Sequence, residues 1–161
     1  MAVRVAILTV SDACSAGNRA DASGDAIAGW VESAGFALAA RDVVPDETDR
    51  IAQVLLRWAD EETANVILTT GGTGLALRDV TPEATRAVIE REAPGVAEAI
   101  RAAGREQTAR SALSRGIAGT RGSALIINLP GSPSGVKDGL AVIEPIMVHA
   151  VQILTGQPTD H

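Results

Sequence analysis

The sequence predicts an α/β domain: a single doubly wound, mostly parallel sheet with helices on both faces. Three observations carry the prediction. Short β-branched apolar runs alternate along the 161 residues with segments whose apolar side chains recur at helical spacing. The runs hold almost no charge, as strands buried on both faces do. Four of them end in loops of glycine, hydroxyl or acidic residues, and ligand crevices in such sheets lie at the carboxyl ends of the strands.

Val3 to Val10 has one charge, Arg4, and reads as the first buried strand. Ser11-Asp12 and a loop with Gly17, Asn18 and Asp21 follow it. Ile27, Trp30, Val31 and Ala34 mark the first helix, closed by Gly35. Phe36 to Val44 is less apolar and reads as a strand nearer an edge. After the turn Pro45 to Thr48, Asp49 opens a helix with Ile51, Val54, Leu55 and Trp58 on one face.

Asn65 to Thr70 is the third strand, and Pro82 to Arg91 the third helix, with Thr81 as its expected N-cap. Glu92 to Gly95 interrupts the helix, which resumes from Val96 to Arg105. Gln107 to Arg115 is polar and ambiguous. Gly116 to Arg121 reads as a short strand turning at Arg121-Gly122, and Ala124 to Leu129 as the clearest late strand. One helix is expected from about Val136 and another from Glu144 to Leu154. Residues 1–155 form the expected domain, and 156–161 a frayed tail.

Composition narrows the function. Net charge is −6 and Lys137 is the only lysine, so a duplex-binding basic surface is not expected. Two tryptophans and one phenylalanine are too few for a base-stacking platform. The single cysteine, Cys14, excludes an intramolecular disulfide, and with two histidines leaves little for a soft-metal site. No apolar stretch is long enough to span a membrane, and no basic-then-apolar leader precedes the first strand. A cytoplasmic protein without membrane or nucleic-acid partners is the expectation.

The chemistry gathers in four loops. Thr70-Gly71-Gly72-Thr73-Gly74 follows the third strand, and its glycines allow close approach of a ligand to backbone. It matches neither common nucleotide fingerprint: Leu77 stands where a Rossmann loop needs glycine, and Lys137 is preceded by Val136 rather than glycine. Its backbone N–H groups suit an anion cradle, and a purely structural tight turn is the alternative. Pro130-Gly131-Ser132 is a second loop of this type. Asp46 and Asp79 follow different strands; meeting in the crevice, they would form a carboxylate pair suited to Mg²⁺ beside phosphates. Read singly, they are an ordinary turn residue and a helix-start residue. Ser11-Asp12 reads equally as a turn or a ligand contact. Ser114-Arg115 offers a hydroxyl and a cation to an anionic ligand, or a solvated loop arginine. His149, on an apolar helix pattern, reads as structural. Ile143, Met147 and Val151 read as core or subunit interface.

Thr69 to Gly74, Arg78-Asp-Val-Thr-Pro-Glu-Ala-Thr85, Leu113-Ser-Arg115 and Ile126-Ile-Asn-Leu-Pro-Gly-Ser-Pro133 together resemble the MogA/MoaB family of molybdenum cofactor biosynthesis, which includes the gephyrin and plant Cnx G domains. The resemblance runs from Val3 to about Leu154. It implies a molybdopterin adenylyltransferase that transfers AMP from ATP to molybdopterin and releases pyrophosphate, with Mg²⁺ as cofactor. The alternative within the family is a non-catalytic molybdopterin-binding or scaffold protein of the MoaB type.

Carried over residue by residue, the resemblance places the catalytic and metal-binding aspartates at Asp46 and Asp79. It places Thr70 to Gly74 and Pro130 to Ser132 on the nucleotide side. Ser11, Asp12, Ser114, Arg115 and Asn128 are expected at the substrates. It further implies a homotrimer, or a hexamer as in some MoaB proteins, and handover of product to a molybdenum insertase. One departure stands out. Gly104 replaces a serine, and Thr108-Ala109 a Thr-Pro, so the stretch 104–111 is expected either to contact the pterin differently or to supply another hydroxyl.

Overall fold

The computed structural model describes residues 2–159. A six-stranded mixed sheet runs through it in the order β2-β1-β3-β6-β5-β4. Strands β1 (Arg4–Val10), β2 (Ala37–Val44), β3 (Val66–Thr70) and β6 (Ala124–Leu129) are parallel. Strands β5 (Ala118–Arg121) and β4 (Arg91–Glu92) add antiparallel at the far edge. The helices are α1 (Asp12–Ser15), α2 (Ala22–Ser33), α3 (Thr48–Asp60), α4 (Thr81–Val88), α5 (Pro94–Arg105) and α6 (Pro133–Leu154), with a 3₁₀ turn at Ala109–Leu113.

The period-2 alternation of the central strands builds two cores. Val5 and Ile7 of β1, Leu68 of β3 and Ile127 of β6 face one side, packed on Ile27 and Val31 of α2, Ile100 of α5, and Ile143, Met147 and Val151 of α6. Ala6, Leu8, Ile67 and Ile126 face the other, against Ile51, Leu55 and Trp58 of α3 and Ala84 and Val88 of α4. Both faces are covered, so β1, β3 and β6 are apolar throughout. Edge strand β2 is exposed along most of its length, which is why it reads less apolar.

Four details depart from the sequence reading. Helix α4 ends at Val88 rather than Arg91, and Arg91-Glu92 pairs with Gly119 and Thr120, so a short strand lies at the expected helix end and the start of the interruption. The last two helices are one, α6, continuous through an exposed Pro145. A turn of helix, α1, follows β1 directly. Thr81 is not a cap but the first residue of α4, after Val80; its hydroxyl instead donates to the Gly71 carbonyl at 2.9 Å. Of the expected tail, residues 160–161 lie outside the described residues.

Register positions the site. Val10 pairs with Val44, Thr9 with Thr70, and Thr70 with Leu129. The loops after β1, β2, β3 and β6 therefore leave the same edge of the sheet, around the β1/β3 step where strand order reverses. That step is where a crevice opens in a doubly wound sheet.

Candidate active site

A cleft of about 740 Å³ occupies this edge. Ser11, Asp46, Thr70, Gly71, Gly72, Asp79, Gly131 and Ser132 line it, with Thr9, Cys14, Arg19 and Ser23 among others. The expected aspartate pair and both glycine loops thus share one cavity.

The glycine wall is tightly fitted. Gly71 has φ +98°, and a Cβ there would stand 2.3 Å from the Val10 carbonyl oxygen. Gly72 has φ +68°, with the Thr81 hydroxyl 2.3 Å from where its Cβ would be. Both positions are open only to glycine. The Thr70 hydroxyl donates to the Pro130 carbonyl at 2.6 Å, joining the two loops. Gly131 packs so close that its Cβ would lie 3.2 Å from Gly71 Cα. The Gly71 N–H donates to the Leu129 carbonyl at 3.4 Å, so it is not part of an anion cradle. Thr73 is buried, and Gly74 lies against the Asp79 carboxylate. Ser132 caps α6 by accepting from Gly135 N–H at 3.1 Å.

The carboxylate rim is held by charge. Asp46 Oδ2 accepts from the Asp12 N–H at 2.9 Å, and Asp12 Oδ1 accepts from the Asp46 N–H at 3.0 Å. Arg78 grips both Asp12 oxygens, at 2.9 and 2.7 Å. Its hydrogen bonds, with the Asp46 N–H, hold the Asp12 carboxyl below the ordinary range. Asp46 moves oppositely. Burial, first, pushes its carboxyl up; the Asp12 N–H opposes this, while the charges of Asp12 and Asp79 add to the rise. Asp79 Oδ2 accepts from Ala76 N–H at 3.0 Å.

Among the described residues no cluster of three or more His, Cys, Asp or Glu could hold a metal unaided. Two carboxylates of unfavourable mutual charge do fit a hard cation shared with ligand phosphates, which is how Mg²⁺ is commonly bound.

Four expected substrate contacts are placed otherwise. Asn128 is 3% exposed. Its amide donates to the Thr69 and Thr85 hydroxyls, both at 2.9 Å, and its Oδ1 accepts from Ile117 N–H at 3.1 Å. It is an internal strut joining β3, α4 and β6. Asp12 is spent on Arg78 and Asp46 and does not line the cleft. Ser114 accepts from Gly116 N–H at 3.3 Å. Arg115 points into the glycine loop: Nε donates to the Gly74 carbonyl at 2.8 Å and Nη2 to the Asp79 carbonyl at 2.7 Å, with Nη1 on Glu83. Ser11 does line the cleft, accepting from Cys14 N–H and Arg19 Nη2, each at 3.1 Å.

Sequence reasoning passed over Arg19, the one basic side chain lining the cleft among the described residues. Its position in the loop after β1, one of the four loops that meet, was the available signal. On the expected pterin side, the Ser111 hydroxyl stands 2.4 Å from where a Cβ at Gly104 would be.

A doubly wound domain with a cleft at the strand switch point, walled by two glycine loops and rimmed by two aspartates, has the architecture of an α/β ligand-binding domain. Comparison with known proteins specifies which. The family described as "Probable molybdopterin binding domain" matches residues 6–149, and the chain belongs to this MogA/MoaB family of molybdenum cofactor biosynthesis. It is 38% identical to the molybdopterin adenylyltransferase of Escherichia coli K12 over 156 residues, covering 92% of this chain and 80% of that protein. It is 44% identical to the molybdenum cofactor synthesis protein cinnamon of Drosophila melanogaster, over 92% of this chain but only 25% of that longer protein. Among solved structures, the molybdopterin biosynthesis enzyme MoaB from Thermus thermophilus superposes with a TM-score of 0.91 at 49% identity, covering 98% of this chain and 99% of that one.

Proposed function

We propose that this protein transfers AMP from ATP to molybdopterin, giving adenylyl-molybdopterin and pyrophosphate. The observation that carries the reading is the convergence of Asp46, Asp79 and both glycine loops on one cleft. The adenylyltransferases of Escherichia coli and of Helicobacter pylori, at 38% and 36% identity, support it.

An oxygen of the molybdopterin phosphate attacks the α-phosphorus of ATP, the α–β bridging bond breaks, and pyrophosphate leaves. Such a transfer needs positioning and charge neutralisation rather than an enzyme nucleophile. Asp46 and Asp79 would hold Mg²⁺, which when bound neutralises the phosphates. The glycine wall brings backbone against the nucleotide. Ser11 and Arg19 line the same cleft, where Arg19 would offset ligand charge in an otherwise acidic protein. The assembly that goes with this reading is a homotrimer, with a hexamer as the alternative, and the product passes to a molybdenum insertase.

Incubation with molybdopterin, ATP and Mg²⁺ is expected to yield adenylyl-molybdopterin. Asp79→Ala is expected to lower kcat by about 100-fold, the scale of a lost charge-stabilising group, while leaving pterin affinity nearly unchanged. The second reading is a pterin-binding protein of the MoaB type without turnover, although the MoaB at 49% identity is itself named a biosynthesis enzyme. Pterin binding with no product from the folded protein would select it.

A further inference from the structure

We propose that Arg115 is a positioning residue that clamps the segment 74–79, so that Asp79 is presented to the cleft before any ligand arrives. The geometry is that of a staple. One guanidinium donates to the carbonyls of Gly74 and Asp79, the two ends of the segment, at 2.8 and 2.7 Å. The Arg115 backbone N–H donates to the Thr73 carbonyl at 2.8 Å, fixing the residue just before. The Glu83 carboxylate, in the first turn of α4, holds the guanidinium through Nη1. That contact, first among the causes, holds the Glu83 carboxyl below its ordinary range.

Packing does not do this work. Leu75 is 66% and Leu77 99% exposed, so no apolar burial restrains the excursion between the clamped ends. Its internal bonds, Ala76 N–H to Asp79 Oδ2 and Asp79 N–H to the Ala76 carbonyl, fold the segment on itself but do not attach it to the domain. The clamp reaches further through Arg78. Held next to the clamped Asp79, it grips Asp12, whose carboxylate and N–H in turn set Asp46. Arg115 therefore stands behind both carboxylates of the rim while touching neither. Arginine suits the task because its planar fork meets two carbonyls and a carboxylate together, which an ammonium on a flexible stem does not.

The catalytic consequence rests on the adenylyltransferase reading; the clamp does not. The test compares wild type, Arg115→Ala, Arg115→Lys and Glu83→Gln by amide hydrogen exchange and by steady-state kinetics with ATP, molybdopterin and Mg²⁺. In Arg115→Ala, exchange of the 74–80 amides is expected to quicken by about tenfold or more, with α2 and α6 unchanged. Its kcat falls by about 10- to 100-fold and the Mg²⁺ concentration for half activity rises, while KM for molybdopterin stays within about twofold. Arg115→Lys recovers part of each effect, and Glu83→Gln shows the same exchange change in weaker form. Unchanged exchange in Arg115→Ala overturns the clamp. A molybdopterin KM raised about tenfold with kcat intact overturns the positioning role and makes Arg115 a substrate contact. If Arg115→Ala does not fold, Arg115→Lys and Glu83→Gln decide by the same readouts. If wild type has no turnover, the adenylyl-transfer reading fails and the exchange results alone judge the clamp.

Discussion

Around the cleft, the glycine wall after β3 and β6 and the charged rim of Asp12, Asp46, Arg78 and Asp79 solve the same problem by different means. The wall is backbone. Gly71 and Gly72 sit at positive φ with no room for a Cβ, Gly131 packs on Gly71, and the Thr70 and Thr81 hydroxyls close on carbonyls of these loops. The rim is side chain and charge: Arg78, Asp12 and Asp46 hold one another on the surface, and Asp46 carries an ionisation that its surroundings oppose. Shape preorganises the wall; the rim is left electrostatically unbalanced. Under the proposed adenylyl transfer the division is useful, since a fixed wall would place the nucleotide and a carboxylate in electrostatic deficit would draw the cation.

The severest way to break that contrast is to add one carbon to the wall. In Gly71→Ala the new Cβ meets the Val10 carbonyl oxygen at 2.3 Å, a backbone atom of the central strand, at φ +98°. A left-handed alanine and a backbone clash together are expected to destabilise the fold by about 4 kcal/mol. Urea unfolding checks it. A midpoint equal to that of wild type would show that the wall yields and that its tightness means little.

Asn128→Ala tests the buried support of the wall. It strands the Thr69 hydroxyl and the N–H of Ile117, and takes one donor from the Thr85 hydroxyl, which keeps its bond to the Thr81 carbonyl. The expected loss is about 2–3 kcal/mol, the cost of unsatisfied buried groups. The folded variant should keep its KM for both substrates. A stable variant with a raised KM would return Asn128 to the ligands, as the family resemblance implied.

These two residues also mark what was legible in the sequence. Gly71 and Gly72 were readable because a glycine run after a buried strand announces backbone that no other residue can adopt. Strands β1, β3 and β6 were readable because burial on both faces leaves an unbroken apolar signature. Asn128 and Arg115 were expected at the substrates, and their partners in the fold were not readable. Asn128 bonds to a residue 59 positions away and Arg115 to one 41 away, and local sequence does not say whether a polar group turns to ligand or to framework. Strand β4 was hidden for a related reason: two exposed residues, Arg91 and Glu92, are a strand only because β5 is beside them. The break expected before Glu144 failed in the other direction: α6 runs on through Pro145, with Ile143 and Met147 on either side fully buried. Packing on the sheet outweighed the lost backbone hydrogen bond.

The smallest effect is the sharpest test of the rim, because its sign differs from that of an ordinary paired aspartate. Asp46 has a folded-state pKa raised chiefly by burial, so the neutral form favours folding. That contribution is complete below the unfolded value of about 3.9 and is lost as pH rises through the raised value. At pH 7 wild type has lost it, whereas Asp46→Asn retains it and can still accept the Asp12 N–H. Without Mg²⁺, Asp46→Asn is expected to melt up to about 2 °C above wild type at pH 7, a small gain because solvent screens the site. The gap should close as pH falls toward the ordinary aspartate range. Asp12 has a lowered pKa through Arg78, so its stabilisation is present above the unfolded value and disappears as pH falls through the folded one. Asp12→Asn should therefore melt below wild type at pH 7 and converge with it in acid. Opposite signs for neighbours that hydrogen-bond each other would identify Asp46 as the carboxylate that the fold keeps in deficit. A lower melting temperature for Asp46→Asn at pH 7 would mean that the protein already balances that charge, and the case for a cation at the rim would lose its electrostatic basis.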